Sequence, residues 1–311
     1  LNQVQLSAGP IEYTDTGGPG PTVVLVPGLS MNGSVWRKVV SELSGVARCL
    51  VPTLPLGGHR QPMHPDADLS PRAVGLLVAE FLDALDLRDV TLVGNDSGLF
   101  LFAAVERPQR LRGLIITSCE AFENFPPGLP GTGLWRAARV PGGVSFLVNN
   151  LRLRPLRRLP MAFGWMSRRP VPAEVADDWL EPLFRQRAVR RDLVRYLRAA
   201  KKKDLLALVE PLRSFDRPTL VVWAADDRVM PPEHGQRFAD LIPGARLVTV
   251  PDSYTLIPED QPAVLAGHIR DFLAAQPEPR APGQPAPEPV SRAGLPVAVP
   301  VRLTPGGRSP R

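Results

Sequence analysis

The stretch Val90-Thr91-Leu92-Val93-Gly94-Asn95-Asp96-Ser97-Gly98 reads as a strand that runs straight into a turn, with a glycine two residues to either side of an acidic residue. Val90–Val93 does not alternate polar with apolar, as expected of a strand buried on both faces. An apolar helix is predicted from Leu99 to about Val105. A strand followed at once by G-x-D-x-G and a helix describes a sharp bend. The glycines at 94 and 98 let strand and helix approach, and the middle side chain is pushed up into a cleft. The helix N-terminus beneath it offers N–H groups and a positive dipole end, which favour an anion at Asp96. The Ser97 N–H is expected to face charge developing on an oxygen.

Working outward, the chain alternates strands and helices. Residues 3–6 and 11–14 read as a hairpin, and Thr22–Val26 (TVVLV) as a buried strand. A helix over 36–43, a strand over 48–52 and a Gly-rich loop follow. Pro71 after Ser70 marks a capped helix start for 71–86. A strand is predicted at 111–117, and then strand signals vanish until 218–223. Helices over 232–242 and 263–274 flank a last strand at 245–250. The pattern predicts an α/β fold: a mostly parallel sheet with helices on both faces, interrupted by a mainly helical insertion. That insertion, 120–215, is expected to form a cap over the C-terminal ends of the strands, where open sheets bind ligands. The core is then 1–119 plus 216–275. The segment 276–311 holds ten prolines and no aromatic residue, which predicts a disordered tail.

The 311 residues carry 37 Lys+Arg and 31 Asp+Glu, with 44% apolar and 22% charged residues. Those values exclude a coiled-coil rod, a collagen-like fibre and wholesale disorder. Residues 131–203 hold 17 basic and 5 acidic residues, a net +12. Such a cap can attract an anionic ligand or partner, or simply carry solvated and ion-paired arginines. The basic residues lack interleaved aromatics, so no nucleic-acid partner is expected. Cys49 and Cys119 form no CxxC pair, and four histidines are too few for a His-rich site, so no metal and no cofactor are expected. No run of 18 apolar residues and no leader is visible, which predicts a cytoplasmic protein without a membrane span.

The strand, the GNDSG bend and the interrupted alternation together resemble the α/β-hydrolase superfamily over roughly residues 10–275. An Asp at the centre of the bend is similar to the aspartate-nucleophile branch, which holds haloalkane dehalogenases and epoxide hydrolases. The resemblance implies Asp96 as nucleophile, an oxyanion hole formed by the N–H groups of Leu29 and Ser97, and Gly94 and Gly98 as the elbow glycines. It implies a supporting acid at Asp227, in WAADDRVMP, or at Glu120, just after the strand before the cap. The family places its catalytic His where this chain reads Asp252 to Pro262, and there Thr255 or Tyr254 stands in its place. Neither is a general base near neutral pH, since an unperturbed Tyr titrates near about 10. His59, His64, His234 and His268 are the remaining imidazoles; His59 and His64 lie in the loop at the elbow end of the sheet, and His59 is the candidate replacement.

An aspartate can displace a leaving group and form an ester without His, but hydrolysing that ester needs an activated water. The sequence therefore supports a hydrolase-like enzyme acting on a small apolar ester, epoxide or halide through Asp96. A variant makes Asp96 a general base, with Tyr254 as proton donor, in a lyase, isomerisation or cyclisation. The alternative is an inactive relative that binds a ligand or protein, with the segment 141–153 and Met161, Phe163, Trp165 and Met166 lining a pocket.

Overall fold

A computed structural model describes residues 1–276 of the chain. Eight strands form one sheet: β1 Asn2–Leu6, β2 Gly9–Asp15, β3 Thr22–Val26, β4 Arg48–Pro52, β5 Val90–Asp96, β6 Leu111–Cys119, β7 Thr219–Ala224 and β8 Arg246–Val250. Their order is β1-β2-β4-β3-β5-β6-β7-β8. β1–β2 and β2–β4 pair antiparallel, and every other pair is parallel. The central strands β5 and β7 are buried at every position, which is why their sequences run apolar rather than alternate.

Helices Pro71–Ala84, Phe100–Glu106, Pro232–Leu241 and Pro262–Ala274 cover the sheet. The first starts where the sequence predicts: Ser70 Oγ accepts from the Ala73 N–H, with Pro71 opening the helix. The predicted helix over 36–43 divides into a 3₁₀ turn at Gly33–Trp36 and a short helix at Arg37–Glu42. Asn32 causes the early start, since its Oδ1 accepts from the Ser34 N–H. One core contains Trp36, Phe81, Phe100, Trp223 and Phe238, all fully buried.

After β6 the chain leaves the sheet and builds a helical cap from Gly128–Ala137, Gly143–Asn150, Ala173–Arg185 and Arg187–Ala199. Polar links tie cap to core. Trp179 Nε1 donates to Ser34 Oγ at 2.9 Å, and Asn32 Nδ2 to Asp178 Oδ2 at 2.8 Å. Asp192 is fully buried and accepts from the Met63 N–H at 2.9 Å. Truncating a buried carboxylate of this kind leaves its partners unsatisfied, so these contacts fix where the cap sits.

Arginines of the cap are extensively paired. Arg154 and Arg157 share Asp177, while Arg168 and Arg169 meet at Asp252. Gln276, the first residue of the expected tail, is buried, and its carbonyl accepts from Arg112. The rest of that segment, 277–311, lies outside the described residues. Among the described residues no helix is long and apolar enough to cross a membrane.

Candidate functional site

β5 extends three residues past Val93 and ends on Asp96 itself. Asp96 has φ +67°, a left-handed backbone that costs a non-glycine residue free energy and persists only when its surroundings hold it. The neighbouring glycines explain how it is held. A Cβ on Gly94 would lie 2.1 Å from the Phe100 ring, and one on Gly98 would lie 2.3 Å from the Glu120 carbonyl oxygen. Helix Phe100–Glu106 and the end of β6 therefore close on the bend only because both positions lack a side chain.

The Asp96 carboxyl is buried at 5% exposure. Its Oδ2 accepts from the Leu29 N–H at 2.8 Å. Gly28 makes this approach possible, since a Cβ there would fall 2.1 Å from the same oxygen. The Ser97 N–H, expected to be the second donor of the oxyanion hole, here donates to the Asn95 carbonyl at 2.8 Å. The left-handed turn at Asp96 brings those two backbone groups together. Ser97 Oγ is buried beside Glu120 and Tyr196, with no well-formed hydrogen bond of its own.

Three carboxyls converge here. Burial pushes Asp96 up to about 7, against the stabilising Leu29 N–H and with the charge of Asp227 adding to the rise. Burial and the charge of Asp96 push Glu120 up to about 8. Burial raises Asp227 to about 6, opposed by the hydrogen bonds it accepts. Those bonds come from the Met230 N–H at 2.8 Å, the Val229 N–H at 2.9 Å and Thr255 Oγ1 at 2.7 Å, all to Oδ1. Asp227 Oδ2 is buried and unpartnered.

Thr255 is fully buried against Asp227. Tyr254 does not join it. Its ring lies against the guanidinium groups of Arg228 and Arg168, and it does not line the cavity described below. The imidazoles are occupied elsewhere. His59 Nδ1 accepts from the Gly57 N–H and its Nε2 faces Asp192, which makes it part of the cap anchor. His234 stacks edge-on against Phe122, and His64 meets Gln5 at the surface. His268 lies within helix Pro262–Ala274. None of the four lines the cavity.

Above Asp96 and Glu120 the cap encloses a cavity of about 340 Å³. Its walls are apolar, with Leu134, Phe146, Leu151, Met166, Leu180 and Val229 among them. Met161 and Phe163 also line it, whereas Trp165 does not. Among the described residues, Asp96 and Glu120 are the only ionisable ones in its lining. A space of this size and lining suits a small, largely apolar molecule.

Asn95 was not singled out by its sequence. Its Nδ2 donates to Thr117 Oγ1, to the Ser118 carbonyl and to the Thr255 carbonyl at 2.8 to 3.1 Å. This one amide locks β5, β6 and the Thr255 loop together beneath the site. An amide directly after a buried apolar run, between Gly94 and Asp96, was the available signal.

Comparison with known proteins agrees with this architecture. A haloalkane dehalogenase from Mesorhizobium japonicum is 33% identical over 45% of this chain and 47% of its own length. The match therefore spans about half of that relative. A cis-3-alkyl-4-alkyloxetan-2-one decarboxylase from Xanthomonas campestris is 27% identical, over 86% of this chain and 93% of its own. A haloalkane dehalogenase from Agrobacterium tumefaciens shares the fold at a TM-score of 0.73 and 21% identity, covering 88% of this chain and 96% of that one. The model of the alpha/beta hydrolase family matches residues 23–268, nearly the whole described body, and the chain belongs to that family.

Proposed function

We propose that this protein is an enzyme that acts on a small, largely apolar electrophile, with Asp96 attacking carbon to form an ester. The observation that carries this reading is the placement of Asp96. Its carboxyl forms the floor of a capped apolar cavity and is steadied by a single backbone N–H from Leu29. An aspartate there is desolvated, which strengthens it as a nucleophile whenever it is ionised. Leu29 N–H would then stabilise the oxyanion formed when water attacks the ester. The substrate belongs to the halide, epoxide or strained-ester class. The activities for which two relatives are named, haloalkane dehalogenation and decarboxylation of an oxetanone, support this class.

The test is intact-mass analysis after incubation with bromohexane and with styrene oxide. Wild type should gain one alkyl group, mapped to Asp96, or turn the reagent over. The Asp96→Asn variant should do neither. Equal labelling of both proteins would refute the reading.

One observation favours a second reading. No imidazole lines the cavity, and Thr255 stands against Asp227. A protein that binds an apolar ligand without chemistry fits those facts. Binding of the two reagents with neither adduct nor product would support it.

A further inference from the structure

Glu120 is left without a role by the ester-forming step. It lies one residue past Cys119, whose Cα pairs in register with that of Asp96 across β5 and β6. Its own N–H donates to the Asp96 carbonyl at 2.9 Å, and Gly98 rests against its carbonyl. The backbone thus holds Glu120 beside the bend. Its side chain is buried at 7% exposure and lines the same cavity as Asp96. The other polar side chains of the lining are Ser30, whose hydroxyl is too weak an acid and base to give a proton and then take one from water, and Asn150. Asn150 is the only amide side chain there, and its Nδ2 is engaged by the Phe146 carbonyl.

We infer that Glu120 is the proton donor and then the water-activating base of this site, taking the role that an imidazole would otherwise fill. The inference rests on Asp96 as nucleophile, and it selects substrates whose leaving atom is an oxygen, such as an epoxide.

Glu120 and Asp96 line one apolar cavity, so a charge on Asp96 disfavours a second charge on Glu120. Burial and that charge push Glu120 up to about 8, which keeps it in the protonated form that a donor needs. The groups that face Glu120 are Asp96 and Ser97 from the bend, Cys119 on its own strand and Tyr196 from the cap.

In the first step an ionised Asp96 oxygen bonds to an epoxide carbon. The carbon–oxygen bond of the ring breaks, and its electron pair takes the Glu120 proton to give a hydroxyalkyl ester. Glu120 is now a carboxylate. In the second step it removes a proton from water as the water oxygen bonds to the Asp96 ester carbon. The tetrahedral oxyanion collapses, the alkoxide leaves, and it takes the proton left on the new Asp96 carboxyl to depart as the diol. Epoxide plus water gives diol, and both carboxyls return to their starting states. A halide leaves without a proton, so it needs Asp96 alone for the first step.

The experiment compares wild type, Glu120→Gln and Glu120→Asp on styrene oxide and bromohexane. Glu120→Gln should lose at least about a hundredfold in epoxide turnover. It should still be alkylated by bromohexane, and the ester should persist. That adduct also shows that the variant is folded and its nucleophile intact. Glu120→Asp should recover part of the epoxide activity. The pH profiles should diverge on the alkaline side: both reactions rise as Asp96 ionises, near pH 7, but epoxide opening then falls as Glu120 ionises, above about pH 8, while alkylation by bromohexane stays level. Epoxide turnover by Glu120→Gln at the wild-type rate, or an epoxide profile with no alkaline fall, would overturn the inference. Failure of wild type itself to react with bromohexane would instead overturn the nucleophile reading beneath it.

Discussion

Thr255 Oγ1 donates a 2.7 Å hydrogen bond to Asp227 Oδ1, and Asp227 in turn lies close enough to Asp96 for its charge to act there. The hydroxyl thus forms a link to the carboxyl that the proposed mechanism treats as its supporting acid. A hydroxyl at that link can orient Asp227 but cannot take a proton from water. Placing an imidazole at 255 should supply that base. In the Glu120→Gln background, Thr255→His should shorten the life of the bromohexane ester by about tenfold or more, the lower range of general-base effects allowing for imperfect placement. The larger side chain should cost about 1–3 kcal/mol in this packed position. Time-resolved intact mass and a denaturation curve read both effects.

The three buried carboxyls predict the pH dependence of stability. Asp96, Glu120 and Asp227 are raised to about 7, 8 and 6 from ordinary values of 3.8, 4.5 and 3.8. Their protons are bound more tightly in the folded state. The stability they contribute is therefore complete below about pH 4 and is lost as pH rises through about 6 to 8. Glu123 acts in the opposite sense. Its hydrogen bond to Arg237 lowers it to about 2, and that contribution is lost in acid. Urea midpoints should be higher near pH 5 than near pH 8. Asp96→Asn should flatten that alkaline decline, because a neutral amide has no proton to lose. An unchanged decline in the variant would show that Asp96 does not titrate in this range.

Gly28→Ala should damage the site more than the fold. The new Cβ would fall 2.1 Å from Asp96 Oδ2, in a place where the carboxyl must give way. Displacing it breaks the bond from the Leu29 N–H. The expected result is a loss of at least about a hundredfold in alkylation or turnover, the scale of losing one oxyanion donor. The stability cost should stay within about 1–3 kcal/mol. A fully active Gly28→Ala protein would contradict the geometry of the floor.

Much of this architecture is legible in the amino-acid order. The run Val90–Val93 followed by glycines at 94 and 98 reports a buried strand and a bend through local sterics alone. The loss of strand signal after 119 reports the cap for the same reason. Details that depend on tertiary contact are not legible. Whether the Ser97 N–H faces Asp96 or the Asn95 carbonyl depends on the backbone angle at residue 96, which composition does not encode. His59 reads as a spare imidazole until Asp192, 133 residues away, is seen to claim it. Tyr254 and Thr255 are adjacent in sequence, yet one faces Asp227 and the other two arginines, a difference set by the loop that carries them.

The most direct measurement of the central claim is a single turnover of styrene oxide in heavy-oxygen water with enzyme in excess. If Asp96 forms the ester and water attacks its carbonyl carbon, the heavy oxygen enters the Asp96 carboxylate, and the diol leaves carrying ordinary oxygen. Peptide mapping should then find the label on Asp96. Label in the diol and none on Asp96 would mean that water attacks the substrate directly, and the account of Asp96 as nucleophile would be wrong.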